Sequence, residues 1–345
     1  MRAVQFLAIS ILLLSCLALS CKKQHHSITP GFYYWKTTYK PTSYERNILQ
    51  RLGVRKMYTR LFDIDVDPAT GKPIPIAPIQ FPPSADTFSF IPVVFITQKT
   101  LTVLNEKDIA PLAGKTAAFI ASVCNSAGIK PTEIQIDCDW TAGSKDTYFL
   151  LLKALRQQPY FAGKVLSCTL RMHQVKYTGT SGIPPVDKAM LMCYSMGDMK
   201  KPGDRNSILN VELAKDYLHK INLYPLPLDI ALPVFQWCVL FLDDKYRGIL
   251  HDVTPDMVSG CRLFDKQTGD LYACKADTMW QGYPLKANDI IRAEQVSPDA
   301  LMAAARYTSQ QIARQDMNIV LFSCDSITLS KYSPDELEAV YNTYR

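Results

Sequence analysis

Beyond residue 27 the chain alternates short runs of consecutive apolar residues with longer stretches whose apolar residues recur every three or four positions. The apolar runs fall at 31–36, 56–62, 90–96, 133–137, 164–170, 189–194, 229–235 and 318–323. Most are continuous, the pattern of parallel strands covered on both faces. Helical stretches lie between them at 43–52, 110–127, 145–158, 206–222, 297–315 and 333–344. The first two stop at Gly53 and Gly128, the third stops ahead of Pro159, and the last two open with Ser-Pro-Asp. Glycine just past a helix and proline at its first position are stop and start signals with a backbone cause.

Eight strands alternating with helices, closed by a C-terminal helix, predict an α/β fold, a (β/α)8 TIM barrel spanning 29–345. Two stretches interrupt the alternation. Residues 176–185, between the fifth and sixth strands, read as loop. The stretch of about 238–290 is too long for a strand-to-helix loop and contains a hairpin pattern, so an insertion after strand seven is expected over the barrel mouth. No internal repeat or low-complexity tract is present.

The N-terminus has a different pattern. Arg2 is followed by an almost wholly apolar, uncharged run over 3–20, small residues Ala18 and Ser20, then Cys21 and the polar Lys22-Lys23-Gln24-His25-His26. This is the layout of a secretory signal. A cysteine at the cleavage point resembles a bacterial lipobox, which implies a signal peptide over 1–20, lipidation of Cys21 and a tether over 21–28. Cys16 is the competing site, and an uncleaved membrane anchor is the other reading of the same run. Each places the remainder of the chain outside the cytoplasm and attached to a membrane, as a cell-envelope protein facing the periplasm or the outer surface.

Composition is that of an ordinary globular protein, 48% apolar and 20% charged. The formal net charge is +6, half of it supplied by Arg2, Lys22 and Lys23. Without a basic run elsewhere, nucleic acid is not an expected partner. Eight cysteines remain after Cys16 and Cys21, with no CxxC pair, so neither a zinc site nor any other cofactor is expected. Cys261 and Cys274 flank a hairpin pattern and are a candidate disulfide, with free thiols as the alternative. Cys138, Cys168, Cys193 and Cys324 lie in apolar runs as small core residues. Asp63-x-Asp65-x-Asp67 has the opening of a calcium loop, but Pro68 stands where the turn glycine belongs.

Active sites of such barrels lie at the C-terminal strand ends. There the chain carries Trp35, Asp63 and Asp65, Asp137, Asp139 and Trp140, Arg171 and His173, Tyr194, Gln236 and Trp237, and Asp325. Aromatic faces interleaved with carboxylates suit sugar rings, whose C–H faces stack while their hydroxyls take hydrogen bonds. The candidate catalytic groups are Asp139, Asp137, Asp63 and Asp325. Candidate substrate contacts are Trp35, Asp65, Trp140, Arg171, His173, Tyr194, Gln236 and Trp237.

The segment 133–156 (EIQIDCDWTAGSKDTYFLLLKALR) resembles the fourth-strand region of chitinase-like glycoside hydrolases of family eighteen, where a DxDxE motif precedes an aromatic-rich helix. Met192-Cys193-Tyr194 is similar to that family's M-x-Y motif, and 232–237 to its seventh-strand region. R-L-F-D-x-D at Arg60–Asp65 and Q-x-D-x-D at Gln135–Asp139 also resemble features of a group of bacterial lipoproteins defined by a domain of unknown function. Carrying the chitinase motif across, Asp137 and Asp139 fill its aspartates, while Thr141 stands where the catalytic glutamate belongs. A threonine hydroxyl is too weak an acid to protonate a leaving oxygen near neutral pH. The resemblance therefore implies a carbohydrate-handling barrel that is not a standard chitinase. Three readings stay open: a barrel that binds or processes a glycan, a silent binding or scaffold lipoprotein, and a hydrolase of another substrate using Asp139 with a second carboxylate or His173.

Overall fold

The computed structural model describes residues 27–82, 88–313 and 315–345. The apolar run, Cys16 and Cys21 lie outside them. Eight parallel strands form the barrel: β1 (Ile28–Tyr34), β2 (Lys56–Val66), β3 (Ser89–Ile96), β4 (Glu133–Asp137), β5 (Val165–Arg171), β6 (Lys188–Met192), β7 (Leu228–Pro233) and β8 (Met317–Phe322). Each pairs with the next, β8 pairs with β1, and β1 pairs with β2, which closes the sheet without an edge.

Helices α1 (Ser43–Arg51), α2 (Glu106–Ser126), α3 (Lys145–Arg156), α4 (Val211–Leu218), α5 (Pro298–Gln311) and α6 (Pro334–Asn342) surround the strands. Their starts follow the local chemistry. Thr42 and Ser333 form capping boxes with Glu45 and Glu336, and Ser297 accepts from Ala300 N. Asn105 and Asp108 open α2 four residues ahead of the predicted start. Between β2 and β3, where no helix was expected, none stands among the described residues: β2 runs on past 62 and turns back into an antiparallel partner, Pro73–Ile76. The helix expected over 206–222 is only eight residues, because residues 206–210 make capping turns around Asn206 and Asn210.

The expected insertion is an antiparallel sheet after β7. Its central strands, Gln236–Leu242 and Ile290–Gln295, pair with each other, and Lys245–Ile249, Leu271–Cys274 and Phe264–Lys266 extend it. Cys261 and Cys274 are unbridged. The register is shifted by three residues from the one the spacing suggests, so Cys274 faces Phe264, and its thiol donates to the Ala276 carbonyl. Cys261 is left outside the ladder.

Two apolar layers position the site. Outward-facing strand residues pack under the helices, while Tyr33, Tyr58, Ile91, Val93, Met190, Met192, Tyr194, Ala231 and Val320 fill the barrel. Its N-terminal end is plugged by a polar cluster. Lys188 Nζ lies 2.9 Å from Glu133 and 2.7 Å from Asp229, Asn318 donates to Asp229 at 2.7 Å, and Ser167 donates to Glu133 at 2.7 Å.

Candidate functional site at the barrel mouth

Inner positions recur every second residue along each strand, so the last inner residue of each strand stands at the mouth. From β1 these are Tyr33 and Trp35, whose rings meet edge-on at 5.9 Å. Phe322, from the end of β8, packs on Tyr33 at 5.4 Å, on Trp35 at 5.6 Å and on Tyr194 at 5.3 Å. Phe235, just past β7, lies 5.7 Å from Tyr194 and 5.2 Å from Trp237. These rings form one continuous aromatic surface. Burial, reinforced by Asp137, holds the Tyr194 phenol well above its ordinary range.

The charged groups stand opposite. A register shift between Arg60 and Phe62 bulges β2, which returns Asp63 to the side of Arg60. The Arg60 guanidinium accordingly clasps the Asp63 carboxylate at 2.6 and 2.5 Å. On β4, Asp137 is buried and accepts from Thr169 Oγ1 at 2.5 Å. Burial and the neighbouring Asp139 raise its carboxyl to about 7, with Asp63 adding to the rise. Asp139 lies past the strand end, and both its oxygens are taken by Arg171, at 2.5 Å each. Burial alone would lower the Arg171 pKa, but the Asp139 carboxylate outweighs it and the pKa rises. Deeper still, Tyr33 Oη donates to Gln135 Oε1 at 2.5 Å.

The segment after β4 is spent on local structure. Thr141 is exposed; its amide donates to Ser144 Oγ at 3.0 Å, and its hydroxyl lies 3.3 Å from the same oxygen. Ser144 in turn donates to Gln98, whose amide donates to the Asp139 carbonyl. Trp140, expected to face the mouth, is instead buried on the outer side of the barrel. It stacks on Tyr148 of α3 at 5.0 Å and donates to the Ser181 carbonyl at 3.0 Å.

Three other expected contacts are also redirected. Asp65 accepts from Thr97 Oγ1 and from Val66 N, both at 2.8 Å, and these bonds hold its pKa down. Asp325 caps the short helix Ser326–Leu329 and pairs with Lys36 at 3.0 Å. Gln236 enters the inserted sheet opposite Gln295, with its Oε1 buried and unpartnered. His173 stays beside the mouth, lining a small recess with Arg171, Tyr194 and Tyr217. Partial burial and the nearby Arg171 lower its pKa. Trp237 keeps its edge at the mouth because Nε1 donates to buried Glu294 at 2.8 Å.

The structure therefore brings together Trp35, Asp63, Asp137, Asp139, Arg171, His173, Tyr194 and Trp237. It adds Tyr33, Arg60, Thr169, Phe235 and Phe322, which sequence reasoning did not select. The two-residue period would have found Phe322 from Asn318 and Val320, and the i, i+3 spacing of Arg60 and Asp63 held the bulge. Among the described residues no cluster of side chains is arranged to hold a metal ion.

Solved structures similar to this chain in fold include chitinases and a spore cortex-lytic enzyme. The Bacillus cereus spore cortex-lytic enzyme SleL aligns at a TM-score of 0.51 and 13% identity, covering 94% of this chain and 76% of that one. The Ostrinia furnacalis Group IV chitinase, solved with allosamidin, aligns at 0.53 and 12%, covering 92% and 97%. A Chromobacterium violaceum chitinase aligns at 0.51 and 10%, covering 92% and 99%. No family model and no curated protein matches at the level of sequence. The likeness defines the fold: an α/β chain with a (β/α)8 barrel similar to those of chitinases, with threonine at position 141.

Proposed function

We propose that this chain is a lipid-anchored protein of the cell envelope whose barrel mouth binds a carbohydrate without cleaving it. The carrying observation is the state of Asp139: both its oxygens are occupied by Arg171, and the residue two positions on is a threonine bonded to Ser144. The position that supplies the proton in the resembled motif is thus a threonine, and Asp139 is committed to Arg171. What remains suits recognition. The aromatic surface offers stacking faces, and the Asp139–Arg171 and Asp63–Arg60 pairs offer hydrogen bonds to hydroxyls. The chitinase-type neighbours, one solved with allosamidin and others titled as chitinases, support a sugar ligand. The signal-like N-terminus and Cys21 support export and anchoring.

One observation favours the hydrolase reading: Asp137, near 7, holds a proton in the range where acid catalysis works. Calorimetric titration with chitooligosaccharides, beside a reducing-end release assay on the same sugars and a wider glycan panel, separates the two. The expected result is binding with no release, and a loss of about tenfold or more in affinity on Trp35→Ala, the scale of one lost stacking contact. Turnover in the wild type that falls by at least about 100-fold in Asp139→Asn would overturn it.

A further inference from the structure

The loops that precede the parallel strands all lie at the N-terminal end of the barrel, opposite the mouth. Their charges are one-sided. Arg55 before β2, Lys130 before β4 and Lys220 before β7 are exposed and make no ion pair with any described residue. Among the described residues the exposed acids of this end are already engaged: Asp187 pairs with Arg156 at 2.6 Å, and Asp316 accepts from Ser27 N at 2.7 Å. Glu133 and Asp229 are neutralised inside the plug by Lys188. On the same end, Leu223 in the turn Ile221–Leu223 is 71% exposed, more than any other large hydrophobic residue described.

The chain also enters here. Ser27 is fastened to Asp316 beside the start of β8. Only five residues lie between it and Cys21, a reach of at most about 20 Å. An anchor at Cys21 therefore keeps this end close to the bilayer and turns the mouth away from it. Free cations and a projecting leucine on one end of the barrel are complementary to a surface of acidic headgroups over hydrocarbon.

From this we infer that the N-terminal face of the barrel, centred on Arg55, Lys130, Lys220 and Leu223, is a docking surface for an anionic phospholipid leaflet, with the mouth held outward. The inference rests on the anchored reading above, and the test separates the two. Full-length chain purified from membranes is first weighed intact, which shows whether Cys21 carries lipid. It is then reconstituted on neutral phosphatidylcholine vesicles and on vesicles one-third phosphatidylglycerol, and amide exchange is followed. Segments 53–56, 128–131 and 219–226 are expected to exchange several-fold more slowly on the anionic vesicles, with the mouth loops 140–144 and 324–327 unchanged. The triple variant Arg55→Glu, Lys130→Glu, Lys220→Glu abolishes the difference, since each basic group near such a surface multiplies partitioning by roughly fivefold. Leu223→Ser, a milder change, reduces it. Equal exchange on both vesicles, or slowing at the mouth, overturns the inference. If Cys21 carries no lipid, the anchored reading fails by itself. Co-sedimentation with the anionic vesicles then decides the face: pelleting lost in the triple variant supports it, and no pelleting overturns it.

Discussion

Asp137 binds its proton more tightly in the folded protein than in the unfolded chain, because burial and Asp139 both oppose its ionisation. Its folded value of about 7 lies above the ordinary carboxylate value of 3.8. A raised acid contributes stability that is fully present below the unfolded value and is lost as pH rises through the folded one. The urea midpoint of the wild type is therefore expected to fall between about pH 4 and pH 7. Asp137→Asn, which stays neutral, should flatten that slope; a slope unchanged by the substitution would refute the assignment. At this scale the sequence was legible where periodicity decides. Asp137, Asp139, Arg171 and Tyr194 share the inner phase of adjacent strands, and the structure brings them together. It was illegible where a strand-end side chain has a second use. Asp325 is as good a helix cap as a mouth carboxylate, and Trp140 finds a stacking partner in Tyr148 that no local pattern announces.

A buried ion pair within one strand of the inserted sheet ties that sheet to the loop after β6. Arg292 donates to Glu294 and also to the carbonyls of Met199 at 3.0 Å, Lys201 at 2.8 Å and Gly203 at 3.1 Å. Glu294 takes Ser207 N at 2.9 Å and Ser207 Oγ at 2.7 Å besides the indole of Trp237. The loop after β6 is thus wrapped around a guanidinium, and the same pair sets the angle of a mouth tryptophan. Removing one partner leaves the other charge uncompensated, so Glu294→Leu is expected to cost about 3–5 kcal/mol in chemical denaturation. The double variant Arg292→Met, Glu294→Leu should recover part of that loss; no recovery would show that the carbonyl contacts dominate. None of this was readable beforehand, since Arg292 and Glu294 sit in a run whose partners are 57 and 91 residues away. The existence and place of the insertion were readable from loop length alone.

At the scale of the whole molecule, the strand order followed from eight apolar runs of the right length, because closure of a parallel sheet leaves few alternatives. The polar plug at its base was not foreseen. Lys188 faces two carboxylates whose burial makes sense only together, and Lys188→Met is expected to destabilise by about 3–5 kcal/mol, measured by urea unfolding. Eight thiols are free among the described residues. Alkylation of the unfolded, unreduced chain should therefore label all eight, with half-buried Cys261 the one reacting in the native state; two fewer labels would reveal a bridge.

The mouth is divided by strand. Its ion pairs come from β2, β4 and β5, and its rings from β1, β6, β7 and β8, so the two sets occupy opposite arcs of one circle. A guest with one greasy flank and one hydroxyl-rich flank would settle there with the first against the rings and the second against the ions, since the reverse would set hydroxyls on the rings and carbon on the ions.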